Sequence, residues 1–386
     1  MLKRRMATHS IVLRFAVVLL FVATARSHAQ TGNPDPPPAA AEPSRGATAP
    51  VSSVPVDPGP VDAHSISLDV RVTDKLGHPI SGLKPGDFTL LDNKLPGKIL
   101  DLHEVDASSS AAEPVQVVIV IDTLNAEIDT IAREREQLTE FLKQNGGHLA
   151  YPTSLAMLTD KGLKMGEIST LDGALLQASL DDPNSELHFI GKGAHYWETP
   201  ARLQWSIDQL AALAAFEAKQ PGRKVALILG PGWPMLPFIS VDVTDKQRRW
   251  AFNYIVGLNN SLREAHLALY VVNPFTLGRI DPFYYESYLK GISNVNQATF
   301  PDLSLQVLAA HSGGLVEITG LDILGELNTA NRDAYPYYSL TFETSPGAAP
   351  NEYHDLHVAV DKPGAKVRTS AGYYSNVQYI LPAKRN

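Results

Sequence analysis

From Val117 the chain runs VVIVI without a polar residue and stops on Asp122. Unbroken β-branched runs of this length mark strands buried on both faces of a parallel sheet, so a strand is predicted over Val115–Ile121. Residues 113–330 go on to alternate strand and helix patterns. Ile131, Leu138, Phe141 and Leu142 define one face of a helix running to about Asn145, where Gly146-Gly147 end it. A second strand follows at Ser154–Thr159, and Leu203, Ile207, Leu210 and Leu213 share a helical face that ends near Pro221-Gly222. Strand Val225–Leu229, a helix carrying Trp250, Tyr254, Leu258 and Leu262, strand Leu267–Val272, helix Leu303–Ala310 and strand Leu315–Ile318 complete the series. That order predicts an α/β, doubly wound, mostly parallel sheet, whose ligand sites lie beyond the carboxyl ends of the strands.

A different period flanks this block. Ile66, Leu68, Val70 and Val72 alternate with polar residues, as a half-buried strand requires, and Phe88–Leu90 and Ile99–Leu102 add short strands between turn sequences. About 45 residues are too few for a core of their own. Three further strands, Tyr337–Phe342, Leu356–Val360 and Val367–Thr369, stand at the other end. Residues 62–108 and 334–376 are therefore expected to combine into a small antiparallel β-sandwich, with residues 113–330 inserted between its halves, because either half alone would expose an unpaired edge.

The first 61 residues have neither period. Residues 1–29 open with Lys3, Arg4 and Arg5, continue with an apolar stretch from Ile11 to Ala25 broken only by Arg14, and end on Ser27-His28-Ala29. This is the pattern of a secretory signal, and the stretch is short for a membrane span; an uncleaved anchor is the alternative, and the sequence leaves open which of the two it is. Residues 30–61, rich in Pro, Ala and Ser, bury too little apolar area to offset their ordering entropy and are expected to form a disordered spacer. An exported, periplasmic or secreted protein with no membrane span in its mature chain follows as the expectation. Its 386 residues include no cysteine, so an exported chain of this kind depends on core packing and not on disulfides. Net charge is −8, and without the five basic residues of positions 1–29 it becomes −13, with 28 basic residues against 41 acidic. That balance excludes nucleic acid as a partner, since phosphate-backbone binding needs a basic face.

Seven stretches carry a family resemblance in their order along the chain: LDVRVTDKLGHPISGLKPGDFTLLDN, VVIVIDTLN, PGRKVALILGPGWP, HLALYVVNP, LAAHSGGLVEITG, AYPYYSLTFETSP and VRTSAGYY. Over about residues 64–375 the chain resembles the von Willebrand factor A-related proteins of Acidobacteria. The resemblance implies a von Willebrand A-like domain and an adhesion or interaction role. Many such domains bind Mg²⁺ or Mn²⁺ through a D-x-S-x-S loop, a threonine from a second loop and an aspartate after a central strand. Hard oxygen ligands suit these cations, and an open coordination position admits a partner's carboxylate. Here Asp122 matches the first aspartate, but Leu124 and Ala126 occupy the serine positions, and Gly230-Pro231-Gly232 stands where the last aspartate belongs. Thr170, within GEISTLDGALLQA, is matched to the second-loop threonine. This set implies a degenerate site: no metal and no cofactor is expected, a divalent cation included, and Asp122 is expected to cap the following backbone.

Other chemistry is thin. Ala310-His311-Ser312-Gly313-Gly314 resembles a nucleophile elbow, but the elbow needs strand then helix, and here a helix precedes a strand, so the glycines are better explained as a helix cap. His354 and His357 lie three apart on a strand and face opposite ways. His188 and His195 sit in a polar loop without zinc-like spacing, beside Phe189, Tyr196 and Trp197. No phosphate-binding loop or dinucleotide fingerprint is present. The chain is accordingly expected to be a non-enzymatic protein that binds a protein or glycan of the cell envelope or exterior. Its surface is expected at the carboxyl edge of the sheet, formed by Asp122, Asn125, Thr170, Trp233 and, from the 275–285 insertion, Phe275 and Tyr284. A secreted hydrolase with an unorthodox site and a structural envelope component are the alternatives, and the sequence leaves the oligomeric state open.

Overall fold

The computed structural model describes residues 65–106, 115–182, 199–233, 242–272, 283–317, 322–345 and 350–375. The expected signal segment 1–29 and spacer 30–61 lie outside them, as do Phe275, His188, His195 and the aromatic residues of that loop.

The chain first lays down β1 (Ser65–Thr73), β2 (Phe88–Asp92), β3 (Leu95–Pro96) and β4 (Ile99–Val105). The α/β block follows with β5 (Gln116–Asp122), α1 (Ile128–Lys143), β6 (His148–Thr159), β7 (Gly162–Met165), β8 (Thr170–Asp172), α2 (Gly173–Asp181) and α3 (Thr199–Glu217). It continues through β9 (Lys224–Leu229), α4 (Asp245–Glu264), β10 (Leu267–Val272), α5 (Leu305–His311), β11 (Val316–Glu317) and α6 (Ile323–Arg332). The final strands are β12 (Tyr337–Glu343), β13 (Tyr353–Val360), β14 (Lys366–Arg368) and β15 (Gly372–Tyr374).

The central sheet has the order β11-β10-β9-β5-β6-β7, with β8 also paired to β6. Strands β5, β6, β9, β10 and β11 are parallel, whereas β7 and β8 run antiparallel to β6. Alternate residues of each strand feed two cores. Val118, Val120, Ala226 and Ile228 pack under α3, α4 and α5. Val117, Ile119, Ile121, Val225 and Leu227 pack under α1, α2 and α6. Burial on both faces is why these strands carry no polar alternation.

Two four-stranded antiparallel sheets, β14-β1-β12-β4 and β15-β13-β2-β3, share a separate core of Leu68, Val70, Phe88, Leu90, Leu340, Phe342 and Val358. Strands from both ends of the described chain are interleaved here, and Ser67 Oγ lies 2.7 Å from Thr341 Oγ1. A buried polar hub joins these sheets to the α/β block. Asp333, just after α6, accepts hydrogen bonds from Arg71 Nε of β1 at 2.9 Å and from the Tyr270 hydroxyl of β10, and forms an ion pair with Arg368 of β14. Arg223 donates to the Ala334 carbonyl at 2.6 Å.

Several boundaries differ from the sequence pattern. Helix α1 ends at Lys143 because Asn145 and Gly146 take left-handed conformations, φ 53° and 71°. The second strand, β6, begins at His148 and is twice the predicted length, since β8 pairs with its first half and β7 with its second. Helix α5 starts at Leu305, because Phe300–Leu303 form a separate 3₁₀ turn ahead of the Ser304 cap.

Candidate functional site

The sheet places Asp122 at a point where its connections diverge. From β5 the chain crosses by α1 to β6 on one side, while from β9 it crosses by α4 to β10 on the other. The crevice between neighbouring strands whose connections leave in opposite directions is where ligands of open α/β sheets sit. Asp122 closes β5 and Gly230 follows β9, so both line that point.

The aspartate is turned inward and fully engaged. Its side chain is 0% exposed. Oδ1 accepts the backbone N–H groups of Leu124 at 3.1 Å and Asn125 at 3.0 Å, and Oδ2 accepts Asn125 Nδ2 at 2.8 Å. The Asn125 amide also donates to Ser206 Oγ of α3 at 2.9 Å, which ties the loop to the neighbouring helix. Thr123 anchors the other side, its N–H and hydroxyl both donating to the Leu158 carbonyl at 3.0 and 2.7 Å. Burial pushes the Asp122 carboxyl up to about 6, against the opposing effects of the Asn125 and Leu124 donors and the Arg202 charge.

This donor set does not fit a hard divalent cation. Both carboxylate oxygens already face N–H donors, the side chains of Leu124 and Ala126 are buried hydrocarbon, and Gly230 brings no oxygen-bearing side chain. Mg²⁺ requires near-octahedral oxygen ligation, which these residues do not supply. Among the described residues no three or more His, Cys, Asp or Glu side chains gather where a metal could bind.

Five of the six residues singled out from the sequence lie among the described residues. Asp122 and Asn125 are in contact. Thr170 is at the wrong end: it pairs with Thr153, which lies opposite Val117, whereas Asp122 lies opposite Leu158. Five residues of strand separate the two levels, about 17 Å at 3.3 Å per residue. Its hydroxyl instead accepts the Asp172 N–H at 3.1 Å, just ahead of α2. Trp233 does not form a recognition surface; it is buried in the core beneath α3, α4 and α5. Tyr284 is half-buried against the same core, near Gln306, and burial pushes its hydroxyl up to about 12. Phe275 is outside the described residues.

What the sequence reading missed is Trp205. It falls off the apolar face of α3, is 40% exposed, and directly precedes Ser206. Its indole N–H donates to the Thr159 carbonyl at 3.0 Å, and Gln209 brackets the same residue, donating from Nε2 to that carbonyl and accepting at Oε1 from the Thr159 N–H. The ring is thereby fixed at the carboxyl end of β6. Ile128, three residues beyond Asn125 at the start of α1, is 63% exposed. An aromatic residue off the apolar face and an isoleucine at a helix start were the available signals.

The elbow-like stretch 310–314 closes a helix and its side chains are engaged by backbone groups. Ser312 Oγ donates to the Ala309 carbonyl and accepts the Leu269 N–H, His311 is buried with Nε2 3.0 Å from the Leu289 carbonyl, and Gly313 has φ 78°. His354 is buried and His357 is exposed.

No family model matches the chain, and no curated protein matches it. Among solved structures, the chain resembles the pilus adhesin SpaC from Lactobacillus rhamnosus GG with a TM-score of 0.33 at 10% identity, covering 78% of this chain and 50% of the adhesin. It therefore spans half of the adhesin's length. The manganese-loaded TRAP protein of Plasmodium vivax gives a TM-score of 0.32 at 9% identity, covering 70% of this chain and 96% of that protein. Among the described residues no helix is long and apolar enough to cross a membrane.

Proposed function

We propose that this chain is an exported, non-enzymatic adhesion-type protein with a von Willebrand A-like domain, and that the carboxyl edge of its central sheet binds a protein partner without a bridging cation. One observation carries the reading: the Asp122 loop is closed upon itself while Trp205, next to Ser206 in the chain, and Ile128, three residues past Asn125, stay exposed. A carboxylate that is buried and saturated with donors is poorly suited to polarise a substrate or to share a cation with a partner's acid. A tryptophan held by its N–H, with its ring open to solvent, suits the anchor residue of an interface, where Trp supplies much of the binding energy at low entropic cost.

The test is affinity capture by the full chain from an extracellular and envelope fraction, with and without EDTA, using wild type, Trp205→Ala and Ile128→Ser. The expected partner is retained in EDTA and lost with Trp205→Ala. Capture abolished by EDTA, or indifferent to both substitutions, overturns the reading. Selective binding to a glycan array in place of protein capture moves the partner to the other class.

A further inference from the structure

The open sheet edges differ in length. Strands β3, β7, β8, β11, β14 and β15 are two to four residues long, and short edges are one of the ordinary defences against unwanted pairing. Strand β4 is different: it has seven residues, pairs with β12 on one side, and has no strand on its other side among the described residues. A bulge beside Phe342 disturbs its first residues, but Asp101–Val105 runs in regular register against Tyr337–Thr341 and contains neither lysine nor proline. At the same side of the sandwich, where the chain passes from β3 to β4, Leu95 is 66% and Leu100 is 48% exposed.

The sequence of this edge is complementary to itself. Asp101 and His103 project from one face of β4, with His103 Nδ1 2.9 Å from Asp101 Oδ2, and both are exposed. When two copies of the strand meet antiparallel about a two-fold axis at Leu102, Asp101 of each stands opposite His103 of the other, and the two Leu102 residues meet at the axis. A carboxylate can accept a hydrogen bond from an imidazole directly opposite it across a strand pair, and it does so twice because a two-fold interface repeats every contact. Moving the axis one residue to His103 would oppose the two imidazoles and lose both pairs, so the carboxylate–imidazole pairing selects the register.

We propose that β4 is a homodimerisation edge: a second copy of this chain adds its own β4 antiparallel, centred on Leu102, and continues the four-stranded sheet into one of eight strands. Backbone hydrogen bonds provide the adhesion, the reciprocal Asp101–His103 pairs set the register, and the exposed Leu95 and Leu100 flank the seam. This surface lies on the sandwich and is independent of the carboxyl edge assigned to partner binding.

Sedimentation equilibrium of the full chain at neutral pH tests it with a charge swap. Wild type is expected to dimerise. His103→Asp, which sets two aspartates against two, should weaken the dimer roughly tenfold or more. The double variant Asp101→His/His103→Asp again sets a carboxylate opposite each imidazole and should restore the dimer. Both positions are exposed, and an unchanged thermal midpoint confirms that each variant is folded. A wild type that stays monomeric at about 100 μM overturns the proposal, as does a His103→Asp dimer of undiminished affinity or a folded double variant that fails to recover.

Discussion

Gly230 and Asp122 face each other across the switch point so closely that a Cβ on Gly230 would lie 2.7 Å from the Asp122 Cβ. Real Cβ atoms do not approach that near, and Gly230 also has φ +151°, which side chains rarely adopt. The close approach brings the end of β9 against the end of β5 and leaves the carboxylate no direction but inward, toward the N–H groups of its own loop. The glycine and the saturated aspartate are two parts of one arrangement.

Gly230→Ala should therefore destabilise the protein by about 2–4 kcal/mol, from overpacking and backbone strain together. Urea unfolding reads this as a lower midpoint at an unchanged slope. A shift below about 0.5 kcal/mol would show that the crevice has room the structure denies.

The raised Asp122 carboxyl fixes the sign of a pH effect. A group that binds its proton more tightly folded than unfolded contributes stability that is full below about pH 4 and is lost as pH rises through about 6. Across that window the loss is about 3 kcal/mol. Asp122→Asn cannot titrate, and Asn125 Oδ1, which is buried without a hydrogen-bond donor, can accept the new amide after a flip of the Asn125 side chain. Relative to this variant, wild type should lose stability between about pH 4 and 6.5. Parallel stability curves for the two proteins would refute the assignment.

Asp92 should behave in the opposite sense. Burial raises its carboxyl, but hydrogen bonds from His354, Tyr373 and Ser345 outweigh that and hold it below the usual range. His354 Nδ1 is 2.7 Å from Oδ1, and the Tyr373 hydroxyl donates to Oδ2 at 2.8 Å, all three side chains being buried in the sandwich. Its stabilising contribution is present above the unfolded value, near 3.8, and disappears as pH falls. Tyr373→Phe should cost about 1–3 kcal/mol at neutral pH, and less in acid. An equal cost at both would show that Tyr373 acts through packing alone.

Asp333 offers a test of how the sandwich and the α/β block are joined. It gathers Arg71, Arg368 and Tyr270 from three strands of two sheets, and Arg71 is buried. Asp333→Ala leaves two arginines without their acid and should cost about 3–5 kcal/mol in thermal or urea unfolding. A near-neutral result would mean that the backbone carbonyls of Arg332 and Pro336, which Arg71 also reaches, suffice.

The contrast between Ile66–Val72 and Thr170 shows where sequence stops. Alternation in β1 and unbroken apolar runs in β5, β9 and β10 reflect which faces meet solvent, a local property written residue by residue. The lack of oxygen at Leu124, Ala126 and Gly230 is equally local, and it alone argued against a cation site. Thr170 could be matched by residue type but not placed, because its position depends on β8 running antiparallel to the first half of β6, a pairing set by the partner strand. Trp233 is buried against expectation for a similar reason: an indole is buried or open according to which elements cover it, and α3, α4 and α5 cover Trp233 while Trp205 stays 40% exposed.

The sequence by itself determined the two periodicities, and with them an α/β block flanked by sandwich strands, as well as the missing ligands around Asp122. Tertiary structure alone decided which strand ends share an edge, that the Asp122 carboxylate turns inward, and that β4 has no strand on its outer side among the described residues. Periodicity records the burial of each residue, whereas register, crossover direction and the approach of Gly230 to Asp122 come from contacts between segments far apart in the chain.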